Sequence, residues 1–211
     1  MGVAVLSKKV PKLKPPVALP SGFTPLVYIQ SNGTQYIDTG MRANQNTRIV
    51  MDCQAHEIHK DGSFPFGVRT SVSSAAFCPA IMLANQVFYN FGAAYQFADF
   101  SALYDRLVID ANKNVCSFIG KTTATLTLAS ATFTSASNIV IGTAANAGVP
   151  YVGDNAWKGK IYSAQMYDNG TLVRDFVPCI SNADTVGLYD LVEGKFYGSM
   201  GSGNFIGSEV A

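Results

Sequence analysis

The sequence predicts an all-β protein, an antiparallel two-sheet sandwich with an extended N-terminal arm. Three observations predict it. Only 14% of the 211 residues are charged, while Gly, Ser, Thr and Asn are abundant; that balance suits a chain of many tight turns and argues against a helical bundle or a disordered chain. From position 26 onward, about a dozen short apolar or alternating runs are separated by turn residues. No stretch has the 3.6-residue periodicity of an amphipathic helix longer than two turns. A chain of this length can bury a substantial core in one domain. The expected division is an arm over 1–25 and a sandwich over 26–211.

The arm is carried by "KKVPKLKPPVALP" (8–20), with four lysines and four prolines in thirteen residues. Pro11, Pro15, Pro16 and Pro20 favour extended, polyproline-like backbone. Val10, Leu13, Val17 and Leu19 alternate with the charges and prolines. The expectation is a docking arm whose Val and Leu side chains enter a partner's groove while Lys8, Lys9, Lys12 and Lys14 meet acidic rims. The alternative is a tail with no role. "LPSGFTP" (19–25) marks the boundary.

Strand signals then follow in order. "TRIVMDCQAHE" (47–57) mixes β-branched and polar residues after an Asn-rich turn. "AIMLANQVFYNFG" (80–92) gives two apolar runs around "ANQ", a hairpin. "RLVIDANKNVCSFIG" (106–120) is a clearer hairpin turning at "DANKN". "KTTATLTLA" (121–129) alternates, with Ala124, Leu126 and Leu128 on one face. "NIVIGTA" (138–144) is a further strand. "KIYSAQMYDNGTLVRDFVPC" (160–179) is a hairpin with the strong turn signal "DNG", and "GLYDLVEGKFYG" (187–198) repeats the pattern around "EG". Strands at such spacing make a two-sheet antiparallel sandwich. Tyr36, Ile37 and Thr39 suit an opening strand that pairs with closing strands near Phe196 and Phe205. Glycines 198, 201 and 203 allow a closing run tight against other backbone.

Three stretches carry a resemblance: "LVYIQSNGTQYIDTG" (26–40), "WKGKIYSAQMYDNGTLVRDFVPC" (157–179) and "VGLYDLVEGKFYGSMGSGNF" (186–205). Together, and in this order, they resemble the concanavalin A-like, laminin-G-type jelly-roll domain of tailed-phage and prophage structural proteins, also found in surface proteins of gut bacteria. The resemblance spans roughly residues 26–207 and implies a jelly roll whose rim loops often bind glycans or calcium. These motifs bear the fold and say little about activity.

Candidate sites are few. Glycoside hydrolysis needs two carboxylates about 5–10 Å apart. The chain has three glutamates (Glu57, Glu193, Glu209), none with an acid at i, i+2 or i, i+4 on a strand. Asp52 and Glu57 fall on opposite faces of an unbroken strand. An enzyme of this type is not expected. In "HEIHKD" (56–61) the histidines are three apart, not the four of a metalloprotease helix, and read as loop residues. "YVGDNAWKG" (151–159) offers a glycan-binding set, Asp154, Asn155 and Trp157, in which Trp157 stacks a sugar or packs in the core. Asp154 also offers a ligand for Ca²⁺; no other cofactor or metal is indicated. Tyr89, Tyr95 and Phe97 read as core or oligomer interface. The four cysteines are far apart and read as free buried thiols.

Charge and hydropathy exclude further classes. The four lysines of residues 1–20, with no acid among them, carry +4, which leaves −3 on the rest of a chain whose total is +1. That body offers no basic face for nucleic acid. No apolar run is long enough to cross a membrane. "MGVAVLS" before the lysines is unlike a secretion signal, so synthesis in the host cytoplasm and residence in the virion are expected. The resulting expectation is a non-enzymatic virion protein of a tailed phage, in capsid decoration, head fibre or another appendage. Its arm would hold it to capsid or other virion proteins, as a homo-oligomer or in many copies on a symmetric shell, and its sandwich would meet surface glycans. The alternative is a tail-borne, carbohydrate-binding host-receptor adhesin.

Overall fold

The computed structural model describes residues 17–71 and 74–210. Six of the arm residues named above, Lys8, Lys9, Val10, Lys12, Leu13 and Lys14, lie outside the described residues. The described chain forms nineteen strands and no helix. The first six are β1 (Phe23–Pro25), β2 (Ile29–Asn32), β3 (Ile37–Asn44), β4 (Thr47–Glu57), β5 (Phe66–Arg69) and β6 (Ala76–Met82). Next come β7 (Gln86–Gly92), β8 (Ala94–Asp99), β9 (Leu107–Asn112), β10 (Val115–Ile119), β11 (Thr123–Thr127) and β12 (Thr134–Ile141). The last seven are β13 (Ala145–Asn146), β14 (Val149–Pro150), β15 (Lys158–Asp168), β16 (Thr171–Ser181), β17 (Val186–Asp190), β18 (Lys195–Tyr197) and β19 (Ile206–Gly207).

They build two sheets. The larger runs β11-β10-β9-β4-β15-β16-β17-β18, with β1 on β16, β2 on β15 and β19 on β2. The smaller runs β14-β13-β5-β6-β7-β8, with β12 against β5 and β3 against β12. Pairing is antiparallel except between β13 and β5. The sheets pack face to face, and strand alternation supplies the core between them. Ile49, Met51 and Cys53 of β4, Ile161 and Met166 of β15 and Phe176 of β16 face Phe66, Phe77, Ile81, Tyr89 and Phe91 of the smaller sheet, all in one buried cluster. Ala124, Leu126 and Leu128 are buried while the intervening threonines are exposed, as their alternation requires.

The hairpins follow local turn chemistry. Asp168 pairs with Thr171 across Asn169 and Gly170, both at positive φ (48° and 82°), the signature of a type I′ turn. The β9–β10 and β6–β7 hairpins stand where the sequence places them. One expectation is corrected. Ile37 and Thr39 belong to β3, which pairs with β12 in the smaller sheet, and the closing strand β19 pairs with β2 instead. The closing glycine run still meets the Thr34–Tyr36 stretch, since Met200 N–H donates to the Tyr36 carbonyl (2.8 Å). Chain pairing also begins earlier than position 26, because Phe23–Pro25 pairs with Cys179–Ser181.

The smaller sheet is covered on its outer face as well. Strand β6 is buried almost throughout: Phe77 and Ile81 enter the main core, while Cys78 and Ala80 enter a second cluster with Phe64 and Ala144. Phe88 and Tyr151 flank that cluster. Its cover stops at the β7–β8 hairpin, which leaves an open apolar shelf.

Candidate functional site

The shelf is built by alternation in the β7–β8 hairpin. Val87, Tyr89 and Phe91 point into the core, so Phe88 points outward; Tyr95 and Phe97 of β8 project on that same outer side. Phe88 pairs directly with Phe97, and their ring centroids are 5.0 Å apart. Tyr95 lies 6.0 Å from each of those rings. Tyr95 is 60% and Phe97 44% exposed. Two large aromatics left this open beside a third form an exposed apolar patch, the kind of surface at which a binding site is sought.

Facing them is a second aromatic wall. Phe64 and Tyr151 stack at 5.8 Å and 24°. The Arg69 guanidinium lies 5.7 Å from the Phe64 ring centroid and 5.3 Å from that of Tyr151, and its Nη2 donates to the Tyr151 hydroxyl. Ala80, Met82, Asp61 and Asn155 complete the lining of a groove of about 580 Å³, a size that suits a small ligand.

The rim brings together two motifs that the sequence keeps some 90 residues apart. Asn155 Nδ2 donates to the Gly62 carbonyl (2.8 Å) and lies 3.4 Å from His59 Nδ1. Asp154 Oδ2 lies 3.8 Å from His59 Nε2, and Asp61 Oδ2 lies 3.9 Å from His59 Nδ1. Thus "HEIHKD" and "YVGDNAWKG" meet beside the groove, with His56 exposed and apart at the end of β4. Among the described residues, no three His, Cys, Asp or Glu side chains gather to hold a metal ion.

Of the glycan-binding set expected from sequence, Asn155 lines the groove and Asp154 stands exposed beside it. Trp157 does not take part. It is fully buried, its backbone N–H donates to the Gly142 carbonyl while its indole Nε1 is buried without a partner, and no sugar can reach its ring. Tyr95 and Phe97 are exposed in the groove, while Tyr89 is core. The signal for them was present in "AYQFA" (94–98), where two aromatics two residues apart alternate with Ala94, Gln96 and Ala98. Without knowing which face of that strand is covered, the pattern reads equally as core.

Aromatics on the larger sheet are differently placed. Arg48 lies over Tyr167, Arg106 over Tyr162 at 3.7 Å, Lys160 over Tyr28 and Lys195 over Tyr197. A polar hollow of about 640 Å³ beside Tyr167 is lined by Asn46, Asn112, Asn114 and Asn169, but its arginine is paired to Asp110 at 2.8 Å. Ring faces already capped by cations offer little to a ligand. Among the described residues no cation lies over Tyr95 or Phe97. The groove on the smaller sheet is the better site.

The arm's last two apolar residues are also accounted for. Val17 and Leu19 pack on Val177, Cys179 and Tyr189, with Phe23 and Phe196 beside them. These two therefore cover part of their own domain. No protein-family model matches this chain, and comparison with curated proteins returns no significant match.

Proposed function

We propose that this chain is a non-enzymatic component of a tailed-phage virion, a concanavalin A-like jelly roll that binds a saccharide in the aromatic groove of its smaller sheet. The observation that carries the binding reading is the open trio Phe88, Tyr95 and Phe97 facing a polar rim. A pyranose presents an apolar C–H face and a belt of hydroxyls, and it matches a flat aromatic platform edged by hydrogen-bonding groups. The groove's lining holds one carboxylate, Asp61, where glycoside hydrolysis uses a pair.

The virion assignment rests on the resemblance of residues 26–40, 157–179 and 186–205, together with the basic arm. Many copies on a shell would turn weak saccharide contacts into avid ones. Two measurements test the reading. Titration of the protein with a panel of neutral and charged oligosaccharides should find a ligand, and Tyr95→Ala or Phe97→Ala should weaken it at least tenfold. Tyr104→Ala, an exposed tyrosine outside the groove, should change nothing. A silent panel would remove the binding reading. Co-sedimentation with particles lacking this protein tests the virion reading separately, and failure of the full chain to bind them would retire it.

A further inference from the structure

The groove contains a cation with its hydrogen-bonding capacity largely unused. Of the five arginines, Arg48, Arg106 and Arg174 each meet a carboxylate at 2.7–2.8 Å, from Asp110, Asp52 and Glu193 respectively. Arg69 has no carboxylate partner among the described residues. A guanidinium carries five N–H donors. In Arg69 one of them reaches the Tyr151 hydroxyl, and Nε is buried with no partner at all. The rings of Phe64 and Tyr151 hold the group in place without satisfying it. The carboxylate nearest by lining, Asp61, accepts from Lys60 Nζ at 2.8 Å, and that contact holds its carboxyl below the usual range.

We propose, resting on the saccharide reading above, that the groove selects acidic saccharides: a pyranose whose ring lies on Tyr95 and Phe97 and whose carboxylate binds Arg69. A planar carboxylate fits the guanidinium fork with two parallel hydrogen bonds, which a hydroxyl cannot do. Enclosure between aromatic walls strengthens that pair relative to one in open water. The remaining positive charge of the groove is then neutralised by the ligand rather than by the protein. Hexuronic and sialic acids share this chemistry.

The test uses two matched pairs and the full chain: oligogalacturonate against its methyl ester, and sialyllactose against lactose, by calorimetric titration. In at least one pair the acidic member should bind at least tenfold tighter, and rising salt should narrow the gap. Arg69→Gln should abolish the preference for the acidic member of each pair, whereas Tyr95→Ala should weaken both members. Arg69→Lys keeps the charge and the aliphatic stem, so it should fold normally and retain part of the preference. Equal affinities within each pair, unaltered by Arg69→Gln but lost with Tyr95→Ala, would overturn the acidic preference and leave the groove reading standing. No binding by any of the four would overturn the preference too; the groove reading falls only if the wider panel is also silent.

Discussion

At the scale of single residues, buried charge and buried thiols set the sharpest expectations. Asp190 is fully buried at the end of β17. Its Oδ1 accepts from the backbone N–H groups of Asp175 (2.8 Å) and Val192 (3.0 Å), and Arg174 Nε lies 3.5 Å from Oδ2. Arg174 in turn meets Glu193 at 2.7 Å, so one arginine ties the β16–β17 pair to the following turn. Arg174→Met leaves a buried carboxylate without its cation and should cost about 3–5 kcal/mol in urea denaturation. A value below about 1 kcal/mol would show that the two backbone donors suffice. The cysteines give a pH dependence. All four are free and buried, and burial pushes Cys78 and Cys179 up to about 12. An unfolded thiol ionises near 8.5. Because the folded state holds these protons more tightly, their contribution is complete below about pH 8.5 and is lost as pH rises toward 12. Thiol reagents at pH 8 should therefore label none of the four until denaturant is added, and urea midpoints should fall steadily from pH 9 upward. Stoichiometric labelling of the native chain would contradict this.

Among the elements, what could be read from sequence was whatever depends on neighbours in the chain. Asn169–Gly170 forces a two-residue turn by its own backbone preferences, and the alternation in β11 fixes which face is buried. Sheet membership depends on distant partners, so local pattern alone sets β3 against the closing strands, whereas it pairs with β12. The groove is not legible for the same reason: its two walls come from β5–β8, from Phe64 and from Tyr151, and Tyr95 differs from Tyr89 only in which face of the sheet is covered. The closing glycines were legible because close approach leaves a compositional mark, and the geometry separates them. A Cβ on Gly201 would sit 1.9 Å from the Thr34 carbonyl oxygen, and one on Gly159 would sit 2.3 Å from that of Gln54. Gly198 would meet only ordinary contacts at 3.6 Å or more. Gly201→Ala and Gly159→Ala should each cost about 1–3 kcal/mol or more, since backbone rather than a movable side chain must yield. Gly198→Ala should be near neutral. Equal effects at all three positions would mean that the closing run is held by something other than close approach.

For the whole molecule, the two ends of the proposed function lie on opposite faces of the sandwich. Val17 and Leu19 pack on Val177, Cys179 and Tyr189, the outward side of β16 and β17 in the larger sheet. The groove opens on the outward side of β6–β8 in the smaller one. A domain held from the first face presents the second away from its support, which is the arrangement a displayed binding module needs. The two faces share no side chain, so stability contributed at one and affinity measured at the other should separate. Half-burying a valine and a leucine contributes about 1–2 kcal/mol, which for a domain of this size shifts Tm by about 2–8 °C. A chain beginning at Gly22 should therefore melt that much lower than one beginning at Val17, while both bind the groove's saccharide with the same Kd. A fall in affinity that tracks the fall in Tm would mean that the two sheets do not act independently. Unchanged Tm would mean that Val17 and Leu19 rest on the domain without stabilising it. In that case the arm stays available for a partner along its whole length, as its sequence first implies.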